Sequence, residues 1–341
     1  MKFPIINNGS TGQKAPAAKQ RVPKPPWLKV KAPSGKRFHD LLGRMGDLKL
    51  ATVCQEAHCP NIGECWGGGT ATIMLMGEVC TRGCRFCMVT TGKPPGLDPD
   101  EPANAAQAVV EMGVDYIVLT SVNRDDLPDG GAGHFAKAVR ELKQRDPDIM
   151  VEVLIPDFQG STDACDTLIA SGPEVIAHNM ETVRRLTRRV RDARAKYDQS
   201  LAVLNHLDKA GAGKGPDGVD IVTKTSVMVG LGETEDEVIE TMRDLRGVGC
   251  DVITFGQYLR PSRKHLEVVE FVHPDQFDRY AEIAKDLGFL YVASGPLVRS
   301  SYRAGEFYLR AHLDRARQLA KRRGRVVRAL HDDKSTGVAP S

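Results

Sequence analysis

The sequence predicts an α/β protein built as a partial (β/α) barrel of about six parallel strands, with extensions at both ends. From residue 71 onward, short apolar runs rich in β-branched residues alternate with amphipathic stretches of helical period. Repeated strand-then-helix units require parallel strands joined by right-handed crossovers. Six or seven such units fall short of the eight that close a full barrel.

In chain order, residues 1–37 form a basic segment broken by Pro16, Pro23, Pro25, Pro26 and Pro33, expected to be extended or disordered. Trp27 is unusual there, because an exposed indole in a tail is wasteful; it either docks on the body or is a chance apolar residue. Residues 38–70 form an N-terminal extension, entered by a short helical pattern over 38–50. The barrel occupies 71–309, with strands expected over 71–77, 116–122, 150–156, 175–180, 221–230, 252–259 and 290–293. Helical periodicity places helices over 103–112, 134–145, 197–210, 235–248 and 274–287. Residues 310–341 form a basic tail, helical at first and then fading into a Gly/Ser/Pro-containing end.

Charge follows the same divisions. Residues 1–39 hold nine Lys or Arg and no acid, and residues 310–341 hold nine against three, so a net +3 for the chain leaves −12 on the body. Basic arms of this kind serve solubility or the electrostatic capture of an acidic partner. No run approaches the roughly 20 apolar residues of a membrane span, and no apolar signal core follows Met1. Aromatic residues make up 6% of the chain and no added nucleic-acid-binding module is visible, which argues against stacking platforms for nucleic acid.

Six of eight cysteines fall into two triplets, Cys54-x4-Cys59-x5-Cys65 and Cys80-x3-Cys84-x2-Cys87. Zinc sites usually pair a close Cys couple with a distant Cys or His couple, which two sets of three do not form. Disulfides lack a secretory context, and thiols that merely pack need no such spacing. Iron–sulfur clusters remain, each short of a fourth protein thiolate. Cys165 and Cys250 sit in helical, apolar settings and read as small buried thiols. The second triplet follows the first barrel strand, which places it at the mouth where βα loops converge.

The second triplet resembles the signature of the radical S-adenosylmethionine superfamily. The first triplet, continued as Cys65-Trp66, is similar to that of the lipoyl synthase family within it. Arg124-Asp125-Asp126-Leu127-Pro128-Asp129-Gly130-Gly131, Leu154-Ile155-Pro156-Asp157-Phe158, Ala177-His178-Asn179, Gly230-Leu231-Gly232-Glu233-Thr234 and Val298-Arg299-Ser300-Ser301-Tyr302 extend the resemblance from about residue 25 to about 308. It implies two [4Fe–4S] clusters and S-adenosyl-L-methionine as cofactors. Cys80, Cys84 and Cys87 would hold the radical cluster, leaving one iron for S-adenosylmethionine. Cys54, Cys59 and Cys65 would hold an auxiliary cluster with a serine as fourth ligand. Spacing does not separate Ser300 from Ser301; the family match favours Ser301, and either hydroxyl could instead serve a local turn.

The implied reaction is insertion of two sulfur atoms at C6 and C8 of an octanoyl chain on a lysine of a lipoyl carrier domain, with the auxiliary cluster as sulfur source. Implied partners are octanoylated lipoyl carrier domains, an electron donor such as flavodoxin or ferredoxin, and a cluster-repair protein. A monomer is expected, in the cytoplasm or, alternatively, a mitochondrial matrix. Asn123, Arg124, Gly230, Gly232 and Glu233 fall at strand ends and are candidates for contact with S-adenosylmethionine or its pocket. Rival readings are a methylthiotransferase with an auxiliary cluster and a non-enzymatic iron–sulfur electron carrier.

Overall fold

The computed structural model describes residues 23–29, 51–52, 59, 61–62, 65 and 72–301. The helical pattern over 38–50, Cys54 and both basic tails lie outside the described residues. Ten strands are present among the described residues: β1 (Ala51–Thr52), β2 (Thr72–Leu75), β3 (Val79–Cys80), β4 (Thr90–Thr91), β5 (Tyr116–Ser121), β6 (Met150–Leu154), β7 (Val175–Ala177), β8 (Val222–Val229), β9 (Val252–Gln257) and β10 (Tyr291–Ser294). The helices are α1 (Glu101–Met112), α2 (Ala132–Arg145), α3 (Thr162–Ile169), the short α4 (Thr187–Val190), α5 (Tyr197–Gly211), α6 (Glu235–Gly247) and α7 (Pro274–Asp286).

The main sheet runs β1-β2-β5-β6-β7-β8-β9-β10, and every pairing from β2 to β10 is parallel. Each of the seven expected strands is present, one more than the barrel estimate of about six. The unexpected member is β1, which pairs antiparallel with β2, Ala51 opposite Met74. Two residues offer no periodicity from which to recognise a strand. β3 and β4 form a separate two-stranded parallel ribbon framing the second cysteine triplet.

Side-chain alternation divides each strand between two faces. Ile73, Leu75, Ile117, Leu119, Val151 and Val153 pack outward into one apolar core that includes Ala105 and Val109 of α1 and Phe135 and Val139 of α2. Val227, Val229, Ile253 and Phe255 do the same with Val238 and Met242 of α6 and Phe277 of α7. The alternate residues Tyr116, Val118, Met150, Val175, Val222 and Val252 form a third, inward cluster. Burial on both faces is the pattern of a parallel sheet wrapped by helices, and it explains why these strands read as continuous apolar runs.

The inner face also carries charge. Lys224 Nζ donates to both carboxylate oxygens of Glu152 at 2.8 and 2.9 Å, and Tyr116 Oη donates to the same carboxylate at 2.6 Å. All three are almost fully buried, so each depends on the others for its hydrogen bonds. Helix starts are capped locally: Thr234 and Glu237 form a reciprocal capping box at α6, and Ser161 caps α3. Trp27 does dock on the body, its ring edge-on to His273 at 5.1 Å, with Leu28 buried beside it.

Candidate functional site

Cys80 closes β3, and the loop to Cys87 lies across the C-terminal ends of the barrel strands. Its shape is fixed by Arg82, which sits between the first two cysteines and is 4% exposed. Arg82 donates twice to Asp125, after β5, at 2.8 and 2.7 Å, and once to Asp157, after β6, at 2.7 Å. One planar guanidinium thus ties the loop to two strand ends, a geometry its fixed fork of donors suits. Burial opposes the charge of both carboxyls, but the Arg82 hydrogen bonds and charge win, holding Asp125 and Asp157 below the ordinary carboxylate range.

Other ties come from around the mouth. Thr81 Oγ1 donates to Asp125 at 2.9 Å, and Thr81 N donates to the Asn123 carbonyl at 3.1 Å. Asp192, beyond β7, accepts from Gly83 N at 2.9 Å, and Arg85 N donates to the Val190 carbonyl at 2.9 Å. His265 bonds the Cys87 carbonyl at 2.9 Å from beyond β9. Loops from four strands therefore hold one short segment.

The three thiols are half-buried. Backbone N–H groups of Arg82 and Asn123 point at Cys80 Sγ, both at 3.4 Å, and that of Asp192 points at Cys84 Sγ at 3.3 Å. Such donors to sulfur help set the potential of a thiolate-bound cluster. Burial pushes the Cys84 thiol up to about 11 and Cys87 up to about 12, so both need a cation to be held as thiolates. The donor set fits a cluster face: three thiols on one rigid loop, with N–H groups already aimed at two of them. Among the described residues no three His, Cys, Asp or Glu side chains gather as they would around a single ion; a cubane instead takes each thiolate on a different iron.

Behind the loop lies a polar wall. His178 bonds the Ile155 carbonyl at 3.0 Å and Ser200 Oγ at 2.9 Å, and Arg191 donates to the same hydroxyl at 2.8 Å. Burial, and then the charge of Arg191, pushes His178 down to about 4, so the imidazole is neutral. Glu181 takes a left-handed backbone conformation, φ 69°, and burial raises its carboxyl above the ordinary value. Asn179 Oδ1 is buried without a hydrogen-bond partner among the described residues. A strained acid beside an unmatched amide oxygen, facing the cysteine loop, is an arrangement awaiting donors.

The first triplet comes near the same body. Cys65 belongs to the apolar core under β2, and Cys59 and Cys80 both border that core. Asn61 Nδ2 donates to the Leu297 carbonyl at 2.6 Å, and burial lowers the buried Arg299 guanidinium below its ordinary value while nearby Cys59 acts against that fall. The chain crosses there because Gly256 has no side chain: a Cβ on it would collide with the Val298 carbonyl oxygen. Two residues past Arg299, Ser301 accepts a hydrogen bond from Thr72 Oγ1 at 3.0 Å.

The other candidates prove to be held by their own surroundings. Arg124, 2% exposed, donates to Asp126 at 2.9 Å and to the Pro95 carbonyl at 3.0 Å. Gly230 is left-handed at φ 98°, and a Cβ there would strike Gln257 and the Glu270 backbone. The Glu233 carboxylate accepts from Gly230 N and from Leu231 N, closing its own turn, with Gly232 between. Cys165 and Cys250 are buried, as their settings predict. Arg82, Glu181, Arg191 and Asp192 escaped the sequence pattern, although Arg82 lies inside the triplet and Glu181 two residues past Ala177-His178-Asn179.

Residues 74–245 match the radical SAM superfamily, and residues 7–59 match the N-terminal domain of lipoyl synthase of that family. The lipoyl synthase of Myxococcus xanthus is 60% identical over 294 residues, covering 86% of this chain and 96% of that one. The mitochondrial lipoyl synthase of Branchiostoma floridae is 55% identical, covering 87% and 79%. That of Halobacterium salinarum is 54% identical, covering 91% and 98%. Among solved structures, Streptococcus suis SuiB bound to precursor peptide SuiA shares the fold at TM-score 0.51 and 10% identity, over 75% of this chain and 52% of that one.

Proposed function

Because the chain belongs to the lipoyl synthase family of the radical SAM superfamily, we propose that it inserts sulfur at C6 and C8 of an octanoyl chain held on a lysine of a lipoyl carrier protein. What supports this reading is that Cys59 and Cys65 of the first triplet and Cys80 of the second border one core, with Cys59 within electrostatic reach of Arg299, two residues before Ser301. A C–H carbon offers neither acidity to a base nor a leaving group to a nucleophile. When bound, a [4Fe–4S] cluster on Cys80, Cys84 and Cys87 supplies the electron that cleaves S-adenosylmethionine to a hydrogen-abstracting radical.

The chain's own residues position and exclude. Arg82, Asp125 and Asp157 keep the cysteine loop from shifting between turnovers. Glu181 and Asn179 offer acceptors to the hydroxyls of a nucleoside seated on the loop. Asn123 and Arg124, with the Gly230, Gly232 and Glu233 turn, act as walls of that pocket, since their polar groups are largely engaged. Neutral His178 braces Arg191 through Ser200 without adding charge beside the cluster.

In this reading Cys54, Cys59, Cys65 and Ser301 hold an auxiliary [4Fe–4S] cluster that is consumed as sulfur substrate. A serine oxygen on iron is a harder, weaker ligand than thiolate, which suits a cluster made to be taken apart. Each turnover uses two S-adenosylmethionine molecules, a reductant and a repair protein that restores the auxiliary cluster. One chain supplies every proposed ligand, so a monomer suffices. No described helix is long and apolar enough to cross a membrane. Air-sensitive thiolate clusters place the work in a reducing compartment, for which we favour the cytoplasm.

The test is anaerobic reconstitution followed by reaction with an octanoyl-lysyl peptide. About eight irons per chain, and a mass gain matching two sulfurs, are expected. Release of 5′-deoxyadenosine with no sulfur on the peptide would overturn the reading.

A further inference from the structure

The body of the chain is acidic, yet residues 184–196 hold seven Lys or Arg against one acid. This run follows β7, and its Val190 carbonyl takes the Arg85 N–H of the cysteine loop at 2.9 Å. The Arg85 carbonyl takes the N–H of Leu266 at 3.3 Å, from the segment beyond β9. Three stretches are stitched side by side, and each brings exposed cations: Arg85; Arg188 and Arg189; Arg263 and Lys264. Nearby Arg184, Arg185, Arg194 and Arg260 are matched by Asp198, Glu237, Asp192 and Glu267. The five have no ion-pair partner among the described residues.

Two of these stretches also carry apolar surface. Met88, next to Cys87, is 37% exposed and Val269 is 59% exposed, two of the three large apolar side chains exposed among the described residues. An apolar centre with a charged rim is the composition of a protein-docking surface. Fixed cations without acids of their own speed and orient the approach of an acidic partner.

We propose that this rim is the docking surface for an acidic one-electron carrier protein, which reduces the cluster held by Cys80, Cys84 and Cys87. The inference rests on the function proposed above. One electron leaves the reduced carrier and enters the cluster; no bond forms or breaks and no proton moves. Electron transfer falls steeply with separation, so a donor must seat against the cysteine loop itself. An octanoyl-lysyl arm is long, and its carrier can dock away from the loop.

The experiment compares the full-length holoprotein with two charge reversals, R188E/R189E and R263E/K264E. Binding of flavodoxin, as the probe, is measured without turnover at low and high salt. Release of 5′-deoxyadenosine is then measured with reduced flavodoxin and with dithionite. Each reversal should weaken flavodoxin binding about tenfold at low salt and flatten its salt dependence. Flavodoxin-driven cleavage should fall in parallel, while dithionite-driven cleavage and iron content stay unchanged. Unaltered flavodoxin affinity overturns the proposal. Loss of affinity for an octanoylated carrier domain, with flavodoxin affinity retained, also overturns it and gives the rim to the carrier. A wild-type holoprotein that releases no 5′-deoxyadenosine with dithionite would sink the functional reading while leaving the binding result to stand by itself.

Discussion

Among the described residues, the second cysteine triplet is clamped by loops of the barrel mouth, whereas Cys59 and Cys65 of the first pack against the core under β2. Loops from four strands converge on Cys80–Cys87, and a buried guanidinium locks it from within. Around Cys59 and Cys65 the ties include apolar packing, the Cys65 N–H to the Asn61 carbonyl and the Asn61 bond to Leu297. The difference matches two proposed fates: a cluster kept through every cycle needs a rigid cradle, and one dismantled for its sulfur needs ligands that can let go.

The strongest way to break that comparison is to remove one thiol from each triplet. Cys80→Ala should abolish 5′-deoxyadenosine release. Cys59→Ala should retain it, lose sulfur insertion and drop iron from about eight to about four per chain. Equal loss of both activities in the two variants would mean that the triplets are not separable.

Arg82→Met comes next in size. It leaves Asp157 without its cation and Asp125 with Arg194 alone, 3.2 Å away, and should cost about 3–5 kcal/mol of stability in urea unfolding. The carboxyls are held below their usual range of about 3.8 in the folded state. Their contribution is therefore complete above that value and lost as pH falls through the lowered values. Acid unfolding of Arg82→Met should begin at higher pH than in the wild type.

A smaller effect belongs to His178, whose folded pKa of about 4 lies below the ordinary 6.5. The unfolded chain takes up the proton first, so stability is full above about 6.5 and declines as pH drops toward 4. His178→Gln should remove that slope, read as the difference in urea midpoint between pH 7 and pH 5. An unchanged slope would assign the pH dependence to other groups.

The mildest change sharpens the comparison at the first triplet. Thr72→Val removes the hydrogen bond to Ser301, worth about 0.5–1.5 kcal/mol. It should hasten chelator extraction of the auxiliary irons several-fold and leave the iron on Cys80, Cys84 and Cys87 untouched. Equal extraction from both sites would deny Thr72 a role in holding Ser301.

Strands such as β5 and β6 were legible because both faces are largely apolar over five or six residues, and α6 because its apolar positions keep helical spacing. The proposed cluster cysteines stand out because their spacing by itself is that of a ligand loop. Lys224 and Glu152 were not: each is an ordinary polar residue until the barrel brings it opposite the other from 72 positions away. Arg82 was hidden for the same reason, its partners lying 43 and 75 residues on. Gly230 and Glu233 are ambiguous for the opposite reason, since a turn closing on itself carries the same residues as one that wraps a ligand.

Among the described residues the sheet ends at β1 on one bank and β10 on the other, with no pairing between them. Beyond β1 the chain runs toward Cys54, and beyond β10 it reaches Ser301. On the proposed ligation, the auxiliary cluster is a clasp fastened across the open seam of the barrel. Fastening it joins residues more than two hundred apart, and a long loop closed in this way takes away much of the freedom of the unfolded chain. Spending the cluster would undo the clasp, so each turnover would leave a looser molecule, marked for its repair partner by the parting of its own seam.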